Sequence, residues 1–562
     1  MNLNYISRYV VVATLFITTQ IKTDFNTDDF SDFDIPEIIS DENKSLPDAF
    51  DNLVTDITEA DLSHVRSNCS PAQTGLALGV INSFNFQGLL DPSIYKKTLL
   101  PKDRNIINYP NMQLVTYQFL PEQQITTHLF INVTPRKNFR NSDDCIKGTQ
   151  LGSYLNIRTK GLLYTLDELL QSPLFSDEEL RQKLQRVDSD KLLWAFEQGK
   201  LQEGRIGIFG HYYRQINEKS YFQAKLPFYW MIRNLNYDQE YKDIMQQELG
   251  DFISNGTGEK FDENAFARKH FVFDALGFGN LRLTYNRIAY EGPNWHVDFG
   301  GSLLIPTDYQ VARGLYGTYF KPSNDTPTLN ICDVAFSENG SDQVQKYFLA
   351  ALDHLSSIIL PCDLGYNKHF GFDVVASVFW QIIPDLAFNT QYCVEFLLPK
   401  KEKRFFVPIN KHDFSTVYNK LPQSTDEEKQ IKLAFLEARL NELLFPKYHN
   451  VKVFPGFIFH STSCLQKTFR NWNFNVGTTS YYQTDEKIKA FYSTPQEERE
   501  VLDIDKALNE TLVQFKAFGK IHRIFHTRRH NDISLSIWAD GTLYNNGLGN
   551  DFSLGIAFDS KF

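Results

Sequence analysis

The feature that most constrains this chain is a strict alternation of apolar and polar side chains, sustained over long segments and repeated many times. The segment NWHVDFGGSLLIP, residues 294–306, shows it, because Trp295, Val297 and Phe299 are apolar whereas His296 and Asp298 between them are polar. Period-two alternation places successive side chains on opposite faces of a β-strand. Ordinary soluble strands usually have only ~5 to 6 residues. The pattern therefore predicts long strands, each with one fully apolar face.

The same alternation recurs from residue 125 to residue 537. The further segments are ITTHLFINV (125–133), YFQAKLPFYWMIR (221–233), LRLTY (281–285), HFGFDVVASVFWQ (369–381), DLAFNTQYCVEFLL (385–398), NWNFNVGTTSYY (471–482) and ISLSI (533–537). This repetition indicates an all-β fold.

Short and long connections alternate along the chain. The short ones are NEKS (217–220), EGPN (291–294), IIPD (382–385), QKTFRN (466–471) and HND (530–532). Several long ones carry helical patterns, among them 163–198, 237–253 and 424–444, where Ser424 and Glu427 have capping-box spacing. We expect antiparallel hairpins with short turns on one side of the sheet and long, partly helical loops on the other. Counting strands back to Gln113 gives about fourteen, within a range of 12 to 16.

The final residues, DFSLGIAFDSKF, alternate at Phe552, Leu554, Ile556 and Phe558, and the sequence ends on Phe562. Here the chain resembles bacterial outer-membrane β-barrel proteins, at the level of architecture and over the region from about Gln113 to Phe562. Ser560 departs from the pattern, because an apolar residue is expected there. The resemblance implies a transmembrane antiparallel β-barrel in the bacterial outer membrane, with membrane lipid around it. It also implies that the barrel-assembly machinery reads Phe558 and Phe562 as an assembly signal.

A barrel in lipid has an apolar outer face, and its inner face can be polar. If the apolar positions of each strand face lipid, the alternate positions face the lumen. The residues predicted to line the lumen are then Lys225, Arg233, Arg282, His296, Asp298, Asp373 and Glu395. A water-filled pore and an interior packed with salt bridges are both compatible with these charges. The tryptophans predicted to form a girdle at the periplasmic rim are Trp295, Trp380 and Trp472. The alternative is a soluble β-sandwich or large sheet whose apolar faces pack on each other.

The N-terminal region has a different composition. Residues 1–22 contain Arg8 followed by a short apolar run, which predicts a secretory signal peptide. Residues 23–70 hold much of the acidity behind the net charge of −11 and predict a disordered linker. Residues 71–111 contain a strand-like stretch, Leu76 to Phe86, and are expected to form a plug or a periplasmic segment. The barrel itself is assigned to residues 112–562.

Other motifs are weak. The six cysteines form no C-x-x-C pair, and a disulfide between Cys332 and Cys362 or buried free thiols are both compatible with their spacing. We expect no metal site at His522, His526 and His530, because four residues on a strand separate side chains by ~13 Å. No nucleotide-binding or hydrolase motif and no dense basic face is present, so no cofactor and no nucleic-acid partner is expected.

By resemblance, the leading function is a channel or facilitator for small or hydrophobic solutes. A barrel enzyme, such as a lipase or protease, is the less favoured alternative, because triads assembled across strands leave little local trace. No catalytic residue is assigned for it. A surface-adhesion or structural barrel is the third, with residues 177–202 and 425–444 as binding surfaces.

Overall fold

The alternating segments lie in β-strands of the computed structural model. Helices and strands are described here for these residues: 63, 65, 69–82, 123–136, 150–153, 182, 187–253, 262–307, 309–318, 330–336, 340–361, 364, 368–408, 418–492, 494–500, 502–509, 511–526 and 532–561. The predicted signal peptide, most of the predicted acidic linker, most of the predicted plug or periplasmic segment, His530 and Phe562 lie outside them.

Strands make up most of the described chain. They are β1 Gln123–Arg136, β2 Lys200–Asn217, β3 Ser220–Asn236, β4 Val272–Phe278, β5 Leu281–Gly292, β6 Trp295–Ile305, β7 Gln310–Arg313, β8 Gly371–Ile383, β9 Leu386–Leu397, β10 Lys400–Phe405, β11 Val407–Pro408, β12 Tyr448–Phe454, β13 Phe457–Phe469, β14 Trp472–Gln483, β15 Lys487–Tyr492, β16 Leu502–Asp503, β17 Leu512–His526, β18 Asp532–Asn546 and β19 Asn550–Lys561.

Twelve of these strands form a closed antiparallel ring. Their order around the ring is β1, β2, β3, β5, β6, β8, β9, β13, β14, β17, β18 and β19, and β19 pairs back with β1. Leu129 of β1 faces Ile556 of β19 in this closing pair. Two shorter strands, β4 and β7, extend the same sheet to fourteen. The expectation of a barrel with 12 to 16 strands is confirmed.

The wall is interrupted beside β3. This strand pairs with β5 as far as Lys225 and with β4 from Phe228 onward. Gly279 and Asn280 separate β4 from β5, so the two shorter strands continue each other along one long neighbour.

The two ends of the barrel differ. At one end, called here the short-turn end, a few residues join β2 to β3, β5 to β6, β8 to β9, β13 to β14 and β17 to β18. At the opposite end, called here the long-loop end, the strands are joined by longer segments, except for the tight β18–β19 turn. The predicted division between short turns and long, partly helical loops is confirmed.

The outer face of the ring is apolar. Among its exposed side chains are Ile131, Ile208, Phe299, Val374, Val476, Ile537 and Leu554. A soluble sheet would bury such residues, because contiguous exposed apolar surface of this extent is rare on soluble monomers. The soluble-sandwich alternative is therefore wrong for this fold.

Helices lie mainly in the long-loop connections. They are α1 Pro71–Ile81, α2 Ser189–Glu197, α3 Gln239–Ile253, α4 Glu263–His270, α5 Ile331–Phe336, α6 Gly340–Ile359, α7 Asp426–Leu444 and α8 Gln496–Glu500, with single 3₁₀ turns at Leu151–Ser153 and Asp505–Ala507. Within the described residues, none of the helices has the length and apolar character to cross a membrane.

Three sequence expectations need correction. The stretch from Leu76 forms helix α1 as far as Ile81 and not a strand, because a short apolar run does not distinguish a strand from a buried helix. The capping box of α7 uses Thr425 and Glu428, one residue later than predicted, since Thr425 offers the same hydroxyl chemistry as its neighbour.

The third correction concerns the cysteines. Cys332, at α5, is bonded to Cys69, just before α1, and not to Cys362. Helix α1 packs against α5 and α7, which brings Cys69 to this partner although 263 residues separate the two in sequence. Cys393 and Cys464 are buried free thiols, and Cys145 and Cys362 lie outside the described residues.

Candidate functional site

The barrel interior is lined by the polar members of the alternating strands. Of the positions predicted from parity, His296 is half-buried and the other six are buried: Lys225, Arg233, Arg282, Asp298, Asp373 and Glu395. Buried charges are stable only when they are paired or hydrogen-bonded. The contacts of these residues therefore define what the interior can do.

One group of ion pairs and hydrogen bonds around Arg282 joins four neighbouring strands. Its guanidinium on β5 lies 3.0 Å from the Asp373 carboxylate on β8 and also contacts Glu395 on β9, passing over β6. From β6, the Ser302 hydroxyl donates to Asp373 at 2.6 Å. Thr284 completes the chain, with its hydroxyl 2.8 Å from that of Ser302. Three of the predicted residues thus meet in one group.

A second group lies nearer the long-loop end. The Arg233 guanidinium donates to Glu203 at 2.7 Å, and Arg205 lies 2.6 Å from the same carboxylate. Arg233 also donates to the backbone carbonyl of Pro361, just after α6. This arginine therefore connects the barrel wall to a segment of the long loops.

A third group contains His296 and Asp298. The Tyr221 hydroxyl donates to the Asp298 carboxylate at 2.7 Å, and the His296 ring nitrogen lies 3.6 Å from it. The His296 ring stacks on Phe379 with centroids 5.1 Å apart. Lys225 belongs to none of these groups, but it faces His211 on β2 and Arg282 on β5 in direct register.

Sequence reasoning missed a fourth group. Lys516 on β17 lies 3.0 Å from Asp540 and 2.5 Å from Asp551, and the Gln514 amide also donates to Asp551 at 2.8 Å. The Asn132 amide reaches the same carboxylate from β1 at 3.1 Å. The alternation in LVQFKAFGK could have identified Lys516, since it shares its parity with Gln514. Glu203 and Arg205 were missed because Gly204 and Gly207 interrupt the alternation in β2.

Part of the interior is apolar and aromatic. One hydrophobic cluster contains Phe130, Phe209, Tyr229 and Trp538 from the barrel strands. Gly207 and Gly555 stand beside two of them, because a Cβ atom at Gly207 would lie 2.4 Å from the Tyr229 Cβ and one at Gly555 would lie 2.4 Å from the Trp538 ring. We call these four side chains the aromatic wall.

The same cluster extends into the long loops. It includes residues of α6 and of the segment that follows: Leu352, Ile358, Ile359, Leu360 and Leu364. The apolar part of the interior is thus continuous with the helix that packs at the long-loop end.

The predicted girdle tryptophans share one location. Trp295 and Trp380 face each other on β6 and β8, and Trp472 begins β14, all at the short-turn end. Each is more than a third exposed, at 43%, 49% and 37%. Phe558 of β19 is likewise exposed on the outer face. The roles of these residues in the membrane and in assembly remain predictions.

A triad-like trio lies at the long-loop end. The ring of His270 contacts Asp353, and the Ser356 hydroxyl donates to the backbone carbonyl of His270. The serine hydroxyl thus bonds the histidine backbone and not its ring, so this trio lacks the contact through which a base activates a serine. Within the described part of the chain, no group of three or more His, Cys, Asp or Glu side chains could hold a metal ion.

The closed ring, its apolar outer face and its ion-paired interior together define a transmembrane β-barrel of the kind found in bacterial outer membranes. The chain matches no protein-family model and no curated protein.

Solved structures with a similar fold are barrels of low sequence identity. An outer membrane channel from Pseudomonas putida F1 is 10% identical, with 80% of this chain and 98% of that chain covered and a TM-score of 0.37. The CymD monoaromatic hydrocarbon channel is 10% identical, with coverages of 79% and 90% and a TM-score of 0.27. A Pseudomonas aeruginosa FadL homologue is 8% identical, with coverages of 83% and 98% and a TM-score of 0.26. The fold described here rests on the strand register and not on these likenesses.

Proposed function

We propose that this chain is an outer-membrane channel or facilitator for small hydrophobic solutes. The observation that supports it best is the continuous hydrophobic cluster that runs from α6 at the long-loop end to the aromatic wall inside the barrel. A hydrophobic solute gains free energy along such a surface, at roughly 25 cal/mol per Å² of apolar area removed from water. The ion-paired groups on other parts of the wall do not offer this gain.

The four polar groups have a second part in the proposal. They hold the remaining strands of the wall in place and restrict passage of ions and water, because paired buried charges leave little polar capacity for a solute. Residues Lys225, Arg233, Arg282, His296, Asp298, Asp373 and Glu395 are proposed to line this part of the path. Trp295, Trp380 and Trp472 are proposed to sit at the periplasmic headgroup level, which places the long loops outside the cell. Recognition of Phe558 by the assembly machinery is part of the same proposal.

The test measures uptake of a small aromatic hydrocarbon by a Gram-negative host that lacks its own channels for such solutes. We expect faster uptake with this chain than with an empty vector. The double variant Phe130→Ala with Trp538→Ala should lose most of the gain, because it removes half of the aromatic wall.

The matched control replaces two outward aromatic residues, Phe299→Ala with Phe474→Ala, and should keep the gain. Heat-modifiable gel migration verifies that each variant is folded. Uptake equal to that of the empty vector, or equal loss in both double variants, would contradict the proposal.

A further inference from the structure

A small sheet continues the barrel wall at the long-loop end. Strands β10, β12 and β15 form it, and each is joined by a few residues to its barrel neighbour, β9, β13 or β14. One face of this sheet is apolar and packed, with Val451, Val453 and Phe406 in a hydrophobic cluster against Leu502. On the opposite face Lys401 is exposed, whereas Phe405 and Tyr448, which pair farther along β10 and β12, are buried in the hydrophobic cluster that includes part of α6.

That opposite face carries lysines from all three strands. Lys401 of β10 faces Lys452 of β12 in direct register, and Lys487 of β15 faces Phe454 of β12. Lys489 lies over the Phe454 ring at 5.9 Å. We call Lys401, Lys452, Lys487 and Lys489 the lysine face.

The positive charge of the lysine face is not neutralised within the described residues. None of the four ammonium groups forms an ion pair or donates a hydrogen bond there. Like charges directly opposite each other on neighbouring strands destabilise a sheet. The Lys401–Lys452 pair is therefore unfavourable by itself, although the chain carries a net charge of −11 and has acidic residues available. An external anion would remove this repulsion.

The position of the lysine face indicates which anion. A row of phenylalanine rings lies along the wall at the long-loop end. The ring centroids are 5.1 Å apart for Phe372 and Phe396, 5.1 Å for Phe396 and Phe457, and 5.6 Å for Phe457 and Phe454. Lys489 is the next group beyond this row. Aromatic side chains settle at the level of lipid headgroups, and lysines beyond them meet anionic headgroups.

We propose that the lysine face binds the phosphate groups of a glycolipid headgroup in the outer leaflet. The inference rests on the proposed function for its orientation, with the long-loop end outside the cell. The ligand is the phosphorylated headgroup of a membrane lipid, held laterally against the outer wall, and not a solute that enters the barrel.

The test uses the full chain refolded in a zwitterionic detergent and fluorescent lipid A, in bisphosphorylated and enzymatically dephosphorylated forms. We expect the wild-type chain to bind the bisphosphorylated lipid more tightly. The variant with Lys401→Gln, Lys452→Gln, Lys487→Gln and Lys489→Gln should lose at least about tenfold in affinity, since each lysine near an anionic surface contributes roughly fivefold.

A charge-matched control replaces four lysines of other long-loop segments with glutamine, at Lys242, Lys269, Lys346 and Lys420. This control should keep the wild-type affinity. Equal binding of both lipid forms by the wild type, or equal loss in both quadruple variants, overturns the proposal. Complete competition by soluble pyrophosphate overturns the assignment to a lipid headgroup.

Solute uptake separates this inference from the proposed function. The quadruple lysine variant should take up the aromatic hydrocarbon at the wild-type rate, because none of its changes lies inside the barrel. Phosphate-dependent lipid binding by a chain that shows no uptake would contradict the proposed function alone.

Discussion

At the scale of single residues, the interior is governed by the cost of burying charge. Arg282 is 4% exposed, and its two carboxylate partners, Asp373 and Glu395, are 2% and 0% exposed. Removing two charges from water costs several kcal/mol each, and the attraction between them offsets this only with good geometry. Loss of one partner should therefore harm the fold more than loss of the whole group.

The first prediction concerns Arg282→Gln. This change removes the guanidinium that holds Asp373 and Glu395, which face each other on β8 and β9, so the free energy of unfolding should fall by about 3–5 kcal/mol. The measurement is urea unfolding of the refolded protein, followed by the gel shift on heating. Lys467→Gln, which breaks an exposed pair with Asp385, is the control and should change the free energy of unfolding much less, because water screens this pair. Equal losses would show that the interior pair behaves like a surface pair.

The second prediction concerns the glycine beside the aromatic wall. A Cβ at Gly207 would lie 2.4 Å from the Phe228 carbonyl oxygen and from the Tyr229 Cβ, so Gly207→Ala should destabilise by about 1–3 kcal/mol. Gly210 lies on the same strand, where the nearest atom would be 3.6 Å away. Gly210→Ala should therefore hardly change the free energy of unfolding in the same assay. Equal losses at both glycines would contradict the close approach of the Gly207 backbone to Tyr229.

At the scale of elements, the small sheet of β10, β12 and β15 combines a packed face with a buried polar group. Burial by itself raises the pKa of Glu402, but the Arg404 guanidinium and a hydrogen bond from His369 outweigh it and hold this pKa below its usual value of 4.5. Glu486 lies on the other side of Arg404, 3.4 Å away. The group joins β10 to the segment before β15.

The third prediction is a loss of local stability in acid. Because the pKa of Glu402 is lowered on folding, its contribution is fully present above its unfolded pKa of 4.5 and is lost as the pH falls through the folded value. Hydrogen exchange of β10 and β12, corrected for intrinsic rates, should accelerate below pH 4.5. Glu402→Gln should exchange faster at neutral pH and depend less on pH. An unchanged profile in this variant would exclude Glu402 as the source.

The elements also show how far the sequence is informative. Alternation identified the long strands, because lipid outside and a polar interior impose one parity over the whole membrane thickness. It did not identify β10, β12 and β15, which form a separate sheet past the ends of the ring strands. Pro399 and Pro455 interrupt the alternation between these strands and their ring neighbours. Single residues such as Arg282 could be assigned to the interior from the alternation alone. Their ion-pair partners could not, because the contact from Arg282 on β5 to Asp373 on β8 crosses the intervening strand β6 and depends on the curvature of the ring.

At the scale of the whole molecule, the disulfide connects distant parts of the chain. The bond from Cys69 to Cys332 holds α1 at the long-loop end, where Asn82 receives a hydrogen bond from Tyr418. By contrast, β1 begins at the short-turn end, next to the last residues of β19. The chain therefore reaches both ends of the barrel before its first strand.

The fourth prediction follows from this connection. The double variant Cys69→Ser with Cys332→Ser should lower the free energy of unfolding by about 2–4 kcal/mol, because the unfolded chain loses a long closed loop. Gel migration without heating should stay that of a folded barrel, since the strand pairs are intact. Limited proteolysis should cut near α1 in the variant, and in the wild type only after reduction. If α1 resists proteolysis in the variant as well as it does in the wild type, packing against α7 is enough to hold α1 in place without the disulfide.

The closure of the ring also sets an order of events. Gln124 and Asp559 touch across the β1–β19 seam although 435 positions separate them in sequence. Hairpins such as β2–β3 need only neighbouring residues and can form early, whereas the seam must bring together the first and the last strand of the ring. Until it forms, β1 and β19 are open edges whose backbone groups lipid cannot satisfy. Insertion into the membrane and completion of the seam are therefore expected to be one coupled step, because a chain that lacks β19 would leave the backbone groups along one edge of β1 unpaired.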